Sequence, residues 1–241
     1  MSEPGTLHCI GVGPGDPELV TIRAARLLGS VRHVVAPIAR LNTESLALSI
    51  VRRYLREDAI VRECVFPMTA DRAELSASWS EAAAEIDALL LAGHDVCFPT
   101  IGDPLLYSTA IYLSRALRSR RPMAKVSFVA GVTAFSAVAA TTQIPLGEAK
   151  QPVTIVPGAS DLDTLRRALA RGGAVVVMKL GARLGSVLEV LAECGALGRA
   201  ALVSRAGLPE QRVHLDLTQL RTLGVEAAYL ATLVVSAEGT S

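Results

Sequence analysis

The sequence is short of aromatic residues: four Phe, four Tyr and one Trp among 241 positions, so any core must be rich in Ala, Val and Leu. It has no excess charge of one sign. A net charge of +1 gives no general attraction to nucleic acid or to acidic membranes, and no basic stripe suggests an RNA substrate. No apolar run reaches the roughly 18 residues of a membrane span. Nothing resembles a secretory signal, because Met1–Thr6 is polar and Leu7–Val12 is short. The expectation is a cytoplasmic protein with neither membrane nor nucleic acid as partner. Cysteine is sparse. Cys9, Cys64, Cys97 and Cys194 lie far apart without metal-ligand spacing, and Cys9 and Cys97 fall in apolar strand-like runs. They read as buried free thiols of a reducing compartment.

Several chemistries are missing as well. No Gly-Lys pair occurs, which excludes a P-loop, and no Gly-x-Ser-x-Gly elbow is present. The four histidines (His8, His33, His94, His214) are isolated, and His8 and His214 sit in strand-like runs as packed or edge residues. No cluster of His, Cys and carboxylate points to a metal.

What is there is a regular alternation. Thr6–Val12 reads as a strand and the segment from Pro17 as a helix capped by Asp16, with Val20, Ala24, Leu27 and Leu28 on one face. Strands follow at Val31–Pro37 and Ile60–Phe66, with a helix from about Ser45 to Leu55 between them. A long helix carries Leu75, Trp79, Ala83, Ile86 and Leu90 on one stripe and stops at Gly93. Asp95–Thr100 is the central strand. Ser108–Arg121 is helical, its basic end suiting the negative helix pole, and Lys125–Val129 is a strand. Alternating strand and helix argues for a mostly parallel sheet. Pro145, Gly147 and Pro152 then cluster without periodicity, which places a boundary between domains 1–146 and 147–241. In the second domain strands are expected at Val153–Val156, Ala174–Leu180, Ala200–Ser204, Gln211–Leu217 and Tyr229–Ser236, forming a mixed sheet.

Three loops carry the candidate chemistry: Gly13–Pro17, Ile101–Ser108 and Gly131–Phe135. All follow strands, where open α/β sheets place their ligands. The first resembles a dinucleotide loop only superficially. Asp16 stands where the third glycine belongs, Val34-Val-Ala-Pro37 offers no acidic ribose ligand, and a carboxylate there repels a pyrophosphate. In the second loop, Gly102 permits a left-handed turn or a close ligand approach, and Asp103 precedes Pro104. Asp103 either caps the next helix or presents a carboxylate to a ligand.

Taken together, Gly11-Val-Gly-Pro-Gly-Asp-Pro-Glu-Leu-Val-Thr21, Gly102-Asp-Pro-Leu-Leu-Tyr-Ser-Thr109, Ala130-Gly-Val-Thr-Ala-Phe135 and Val175-Val-Val-Met-Lys-Leu180 resemble the tetrapyrrole methylase family. These are the S-adenosylmethionine enzymes of cobalamin and sirohaem synthesis, and the resemblance spans nearly the whole chain. Phe66-Pro-Met-Thr69 and Thr100–Thr109 are most similar to the branch that methylates C-20 of precorrin-2 or cobalt-factor II. Two departures are Ala130, where the family usually has Pro, and the lead-in Phe98-Pro99.

The resemblance implies a kidney-shaped bilobal fold of two α/β domains, with S-adenosylmethionine folded between them and released as S-adenosylhomocysteine. It assigns cofactor contacts to Pro14, Gly102, Asp103, Leu106, Thr133, Ala134, Met178, Tyr229 and Leu230. Met178 read by itself fits core packing equally well. The loop containing Gly13 and Asp16 would face a small-molecule tetrapyrrole. A meso carbon that gains a methyl loses its proton, so Asp103, with Tyr107 beside it, is either the base or a cofactor ligand. The substrate's eight carboxylates suit arginine, and Arg40, Arg205 and Arg212 lie in or beside loops, where they are otherwise plain surface residues. Another regiochemistry (C-11, C-17 or uroporphyrinogen) and a non-catalytic nucleoside-binding module are the competing readings. A homodimer is expected from the family, with Leu91 and Ile111 off the core stripes.

Overall fold

The computed structural model describes residues 3–39, 44–67, 69, 71–158, 161–218, 228 and 230–237. The chain divides into two compact units, 1–132 and 133–241.

The first unit holds five strands: β1 (Thr6–Gly11), β2 (His33–Ile38), β3 (Ile60–Val65), β4 (Val96–Thr100) and β5 (Lys125–Val129). They form one sheet in the order β3-β2-β4-β1-β5, every pair parallel. Helices α1 (Ile22–Ser30), α2 (Leu46–Val51), α3 (Arg72–Leu91) and α4 (Thr109–Arg120) connect them. Alternation along the strands feeds two cores. Leu7, Cys9, Val35 and Phe98 pack with Ile86 and Leu90 of α3 and Leu113 and Leu117 of α4. Ile10, Val34 and Cys97 pack with Ala24 and Leu28 of α1 and Ile50 of α2. Burial on both faces explains why the central strands read as unbroken apolar runs. Cys9 and Cys97 are buried free thiols, each pushed up to about 12 by loss of hydration.

The segment after β1 departs from the expected single helix. Asp16 caps only a short 3-10 turn, Pro17–Leu19, accepting from the Glu18 N–H at 2.8 Å. Val20 is extended, and Thr21 caps α1 afresh by accepting from the Ala24 N–H at 3.2 Å.

The second unit contains α5 (Ala134–Thr142), β6 (Val153–Pro157), α6 (Leu162–Ala170), β7 (Ala174–Met178), α7 (Leu184–Glu193), β8 (Ala200–Ser204), β9 (Arg212–His214) and β10 (Ala231–Val235). The sheet order is β6-β7-β10-β8-β9, with β6 and β7 parallel and the other pairs antiparallel. Leu165 of α6 and Val187 and Leu191 of α7 join Val175, Val177, Leu202 and Leu233 in one core. On the other face Val138 of α5 packs with Val176, Val203 and Val234. This contact assigns α5 to the second unit, so the division falls before Thr133 rather than in the Pro- and Gly-rich stretch at 144–152. Three strands of this unit are shorter than expected, β10 covering only Ala231–Val235. β7 stops at Met178 because Lys179 turns left-handed, and β9 covers only Arg212–His214. No described helix is long and apolar enough to cross a membrane.

Candidate active site

Strands β4, β1 and β5 are neighbours, so the loops leaving their carboxyl ends lie side by side. Beyond the strands the ladder continues: the Val12 N–H donates to the Thr100 carbonyl at 3.0 Å. Gly13 and Gly102 then bridge, with Gly102 N–H to Gly13 O at 2.8 Å and Gly13 N–H to Gly102 O at 3.4 Å. Both glycines have positive φ, 79° and 69°.

Behind this bridge the backbones touch. A Cβ built on Gly131 sits 2.1 Å from the Gly102 carbonyl oxygen, and one on Gly11 sits 2.6 Å from the same atom. Glycine is needed here for close passage of three main chains, not for cradling a phosphate. The α-carbon of Gly102 has open space on its other side, with nothing within 4 Å of the Cβ position. The Gly102 backbone is therefore open to approach on that side.

Asp103 ties this seam together. Its Oδ1 accepts from the Leu105 N–H at 2.9 Å and its Oδ2 from the Gly131 N–H at 3.1 Å. It does not cap α4. Ser108 does, its Oγ accepting from the Ala110 N–H at 3.2 Å. The Ser108 hydroxyl also hydrogen-bonds the Thr100 hydroxyl at 2.9 Å, and both residues are buried. The two ends of the Ile101–Tyr107 loop are thus clasped by one hydroxyl pair. Within the loop the Leu106 N–H donates to the Asp103 carbonyl at 3.3 Å, and Tyr107 is exposed with φ 51°. A bulky residue with positive φ is uncommon and gathers at functional loops. Pro14 is buried next to Gly13.

Of the other expected site residues, Thr133, Ala134, Met178, Arg205, Arg212 and Leu230 fall in the second unit. Thr133 caps α5, its hydroxyl accepting from the Ser136 N–H at 3.4 Å and hydrogen-bonding the Ser136 hydroxyl at 2.8 Å; Ala134 is the first helical residue. Met178 is half-buried against the Val138, Val176, Val203 and Val234 cluster, so it does pack on the core. Register places Met178 opposite Thr232, Ala231 opposite Ser204, and Ser204 opposite Arg212. Met178, Leu230, Arg205 and Arg212 therefore gather at one edge of the second sheet. Arg205 faces Glu210 at 3.7 Å, and its N–H donates to the Leu230 carbonyl at 3.2 Å. Arg40 and Tyr229 lie outside the described residues.

Three features escaped the sequence reading. The Thr100–Ser108 clasp spans eight positions and has no motif. The contact of Gly11 with Gly131 joins residues distant in sequence, although both glycines sat in the recognised segments. Lys179 lay in a recognised segment but carried no sign of its left-handed backbone.

The family profile "Tetrapyrrole (Corrin/Porphyrin) Methylases" matches residues 6–221. The chain is 38% identical over 232 residues to cobalt-precorrin-2 C(20)-methyltransferase of Salmonella typhimurium, covering 96% of each chain. It is 30% identical over 209 residues to precorrin-2 C(20)-methyltransferase of Sinorhizobium sp, covering 83% of this chain and 84% of the relative. Its fold is similar to that of uroporphyrin-III C-methyltransferase from Thermus thermophilus complexed with S-adenyl homocysteine, with a TM-score of 0.64, 22% identity, and 96% and 97% of the chains covered. With the paired glycine loops and the two α/β sheets, these likenesses establish that the chain belongs to the tetrapyrrole (corrin/porphyrin) methylase family.

Proposed function

We propose that this protein transfers a methyl group from S-adenosylmethionine to the C-20 meso carbon of precorrin-2 or its cobalt form, in cobalamin biosynthesis. The full-length likeness to the Salmonella C(20) enzyme carries this reading. The cofactor supplies an electrophilic methyl on a sulfonium. The electron-rich meso carbon attacks it, so no protein nucleophile is required, and the chain's task is to bind, align and exclude water.

The open backbone at Gly102 takes the cofactor, with Pro14, Asp103 and Leu106 beside it in the first unit. In the second unit Thr133, Ala134, Met178, Tyr229 and Leu230 are assigned to the same ligand. Gly13, Asp16, Arg40, Arg205 and Arg212 are assigned to the tetrapyrrole. Both Asp103 oxygens already accept backbone N–H groups. Its primary role is therefore to hold the loop and the cofactor, with Tyr107 as the adjacent polar group, and proton removal is secondary. The assembly is a cytoplasmic homodimer.

The test is incubation of the purified protein with precorrin-2, with and without cobalt, and methyl-labelled S-adenosylmethionine. Label at C-20 is expected. Label at another carbon, or no transfer to either substrate, overturns the reading. In the same assay Asp103→Ala is expected to fold and to lose about 100-fold or more in turnover. Wild-type turnover in that variant removes Asp103 from the site.

A further inference from the structure

The end of β7, the end of β8 and the start of β10 lie in register at one edge of the second sheet. At each of the three the chain passes through a left-handed residue that is not glycine: Lys179 at φ 60°, Arg205 at 51° and Leu230 at 52°. Bulky L-residues avoid this region, and such strain persists only where the surroundings hold it, typically at ligand sites.

Here the surroundings do hold it. The Gly158 N–H donates to the Met178 carbonyl, and a Cβ on Gly158 would meet the Lys179 carbonyl oxygen at 2.1 Å, so the two main chains are in direct contact. On the other side the Arg205 N–H is bonded to Leu230 O. The outcome is two cationic residues launched from one edge. Because β10 lies between β7 and β8, they stand two strand spacings apart, about 10 Å. Arg212, opposite Ser204, is next to Arg205.

Lys179 differs from its neighbours in one respect. Its residue surface is open to solvent, yet the protein crowds its ammonium enough that desolvation lowers its pKa from the ordinary lysine value, and among the described residues no acidic group contributes to the shift. Arg205, in contrast, has Glu210. A partly desolvated ammonium on the same sheet edge as Arg205 and Arg212 suits an anion that arrives with a ligand.

We infer that Lys179 binds a carboxylate of the tetrapyrrole, with Arg205 and Arg212 on the same sheet edge receiving its neighbours; the inference rests on the methyltransferase reading above. Lysine at this position serves as a point charge, so the contact sets affinity rather than the chemical step.

The test compares the full-length wild type with Lys179→Met and Lys179→Arg. Steady-state kinetics with precorrin-2 and S-adenosylmethionine are paired with equilibrium binding of uroporphyrin III, an octacarboxylate, and of coproporphyrin III, a tetracarboxylate. Lys179→Met is expected to raise KM for precorrin-2 about tenfold and to weaken uroporphyrin III similarly. KM for S-adenosylmethionine and the circular dichroism spectrum stay as in the wild type, and Lys179→Arg recovers most of the affinity. A folded Lys179→Met protein with wild-type KM and wild-type uroporphyrin III affinity overturns the inference. So does a loss confined to kcat, or one shared equally with S-adenosylmethionine. If the wild type fails to methylate precorrin-2, the methyltransferase reading falls by itself, and the uroporphyrin III measurement still decides the role of Lys179.

Discussion

Gly131→Ala puts the glycine seam under direct strain. The new methyl carbon would lie 2.1 Å from Gly102 O and 2.7 Å from Gly11 C. That is more than about 1 Å inside van der Waals contact. Neither atom belongs to a flexible side chain. The Gly102 carbonyl accepts from the Gly13 N–H, and Gly102 N–H is donated in return, so moving it breaks the bridge between the first two loops. Moving residue 131 instead pulls its N–H away from Asp103 Oδ2, now at 3.1 Å. Either adjustment costs what overpacking of a closely fitted interior costs, about 3 kcal/mol. For a chain of this length that is a fall of roughly 6–12 °C in Tm. Gly185→Ala is the matched control. Gly185 lies in α7 with nothing within 4 Å of its Cβ position, so alanine there is expected to stabilise by about 0.4–1 kcal/mol. Thermal and urea melts of both variants, with S-adenosylmethionine titrated by calorimetry, read the outcome. The expected result is a large loss of stability and of cofactor affinity for Gly131→Ala alone. A Gly131→Ala protein that keeps wild-type Tm and wild-type affinity would refute the claim that three main chains meet at this point.

Ser108→Ala leaves the buried Thr100 hydroxyl without its partner, at a cost of about 1–2 kcal/mol, and removes the cap of α4. Combining it with Thr100→Val should be less than additive in urea melts; strict additivity would mean the two hydroxyls are not coupled. Acid should weaken the fold in a defined window. Desolvation lowers the pKa of His33, helped by His94, Arg32 and Arg62, and it lowers that of His8 against the opposing pull of Asp95. The unfolded chain therefore binds more protons below about pH 6.5, and stability drops as pH falls from there through the folded-state values. Urea midpoints should be lower at about pH 5.5 than at about pH 7.5, and identical midpoints for wild type and His33→Leu across that range would exclude His33 as the cause. Light scattering should give twice the 25.3 kDa chain mass. Leu91, 57% exposed, is the better interface probe because Ile111 is half-buried, and a monomeric wild type ends the dimer reading.

Much of the fold was legible because its signals are local. β5 runs over Lys125–Val129 and β8 over Ala200–Ser204, the bounds expected from the sequence. Where the reading slipped, a local choice was settled elsewhere. Val20 and Thr21 interrupt the first helix because Thr21 offers a second cap, and two consecutive caps look like one helix in an apolar pattern. Composition changes at the Pro- and Gly-rich stretch and so points to a boundary there. Ownership of α5 is decided by which sheet Val138 packs on, a contact of high sequence separation that no window contains. Met178 shows the same limit: its half-buried position against the valine cluster follows from the register of β7 with β10, not from its neighbours in sequence.

The first loop shows how a motif can be recognised while its physics is misassigned. Gly11-x-Gly13-x-Gly15 looks like a phosphate cradle, but Asp16 and the missing acidic residue after β2 speak against one. The geometry gives a positive reason. Gly11 is required where the Gly102 carbonyl passes, Gly13 where the chain turns with φ 79°, and neither requirement involves a ligand. The open space lies instead at Gly102, the one glycine of the seam with both a positive φ and nothing beside its Cβ position. The seam thus separates two duties that a dinucleotide loop combines in one turn. Gly11 and Gly131 let the backbones close, and Gly102 presents what they have closed. Alanine at 131 should therefore damage stability first. At Gly102 an alanine meets no atom but must adopt φ 69°, so it should cost only about 1 kcal/mol of stability while occupying the open space where the proposed cofactor contact would be made. A Gly102→Ala protein that melts within a few degrees of wild type yet binds S-adenosylmethionine at least about tenfold more weakly is the expected result. Unchanged binding in that variant would move the cofactor away from Gly102 and leave the seam as a purely structural device.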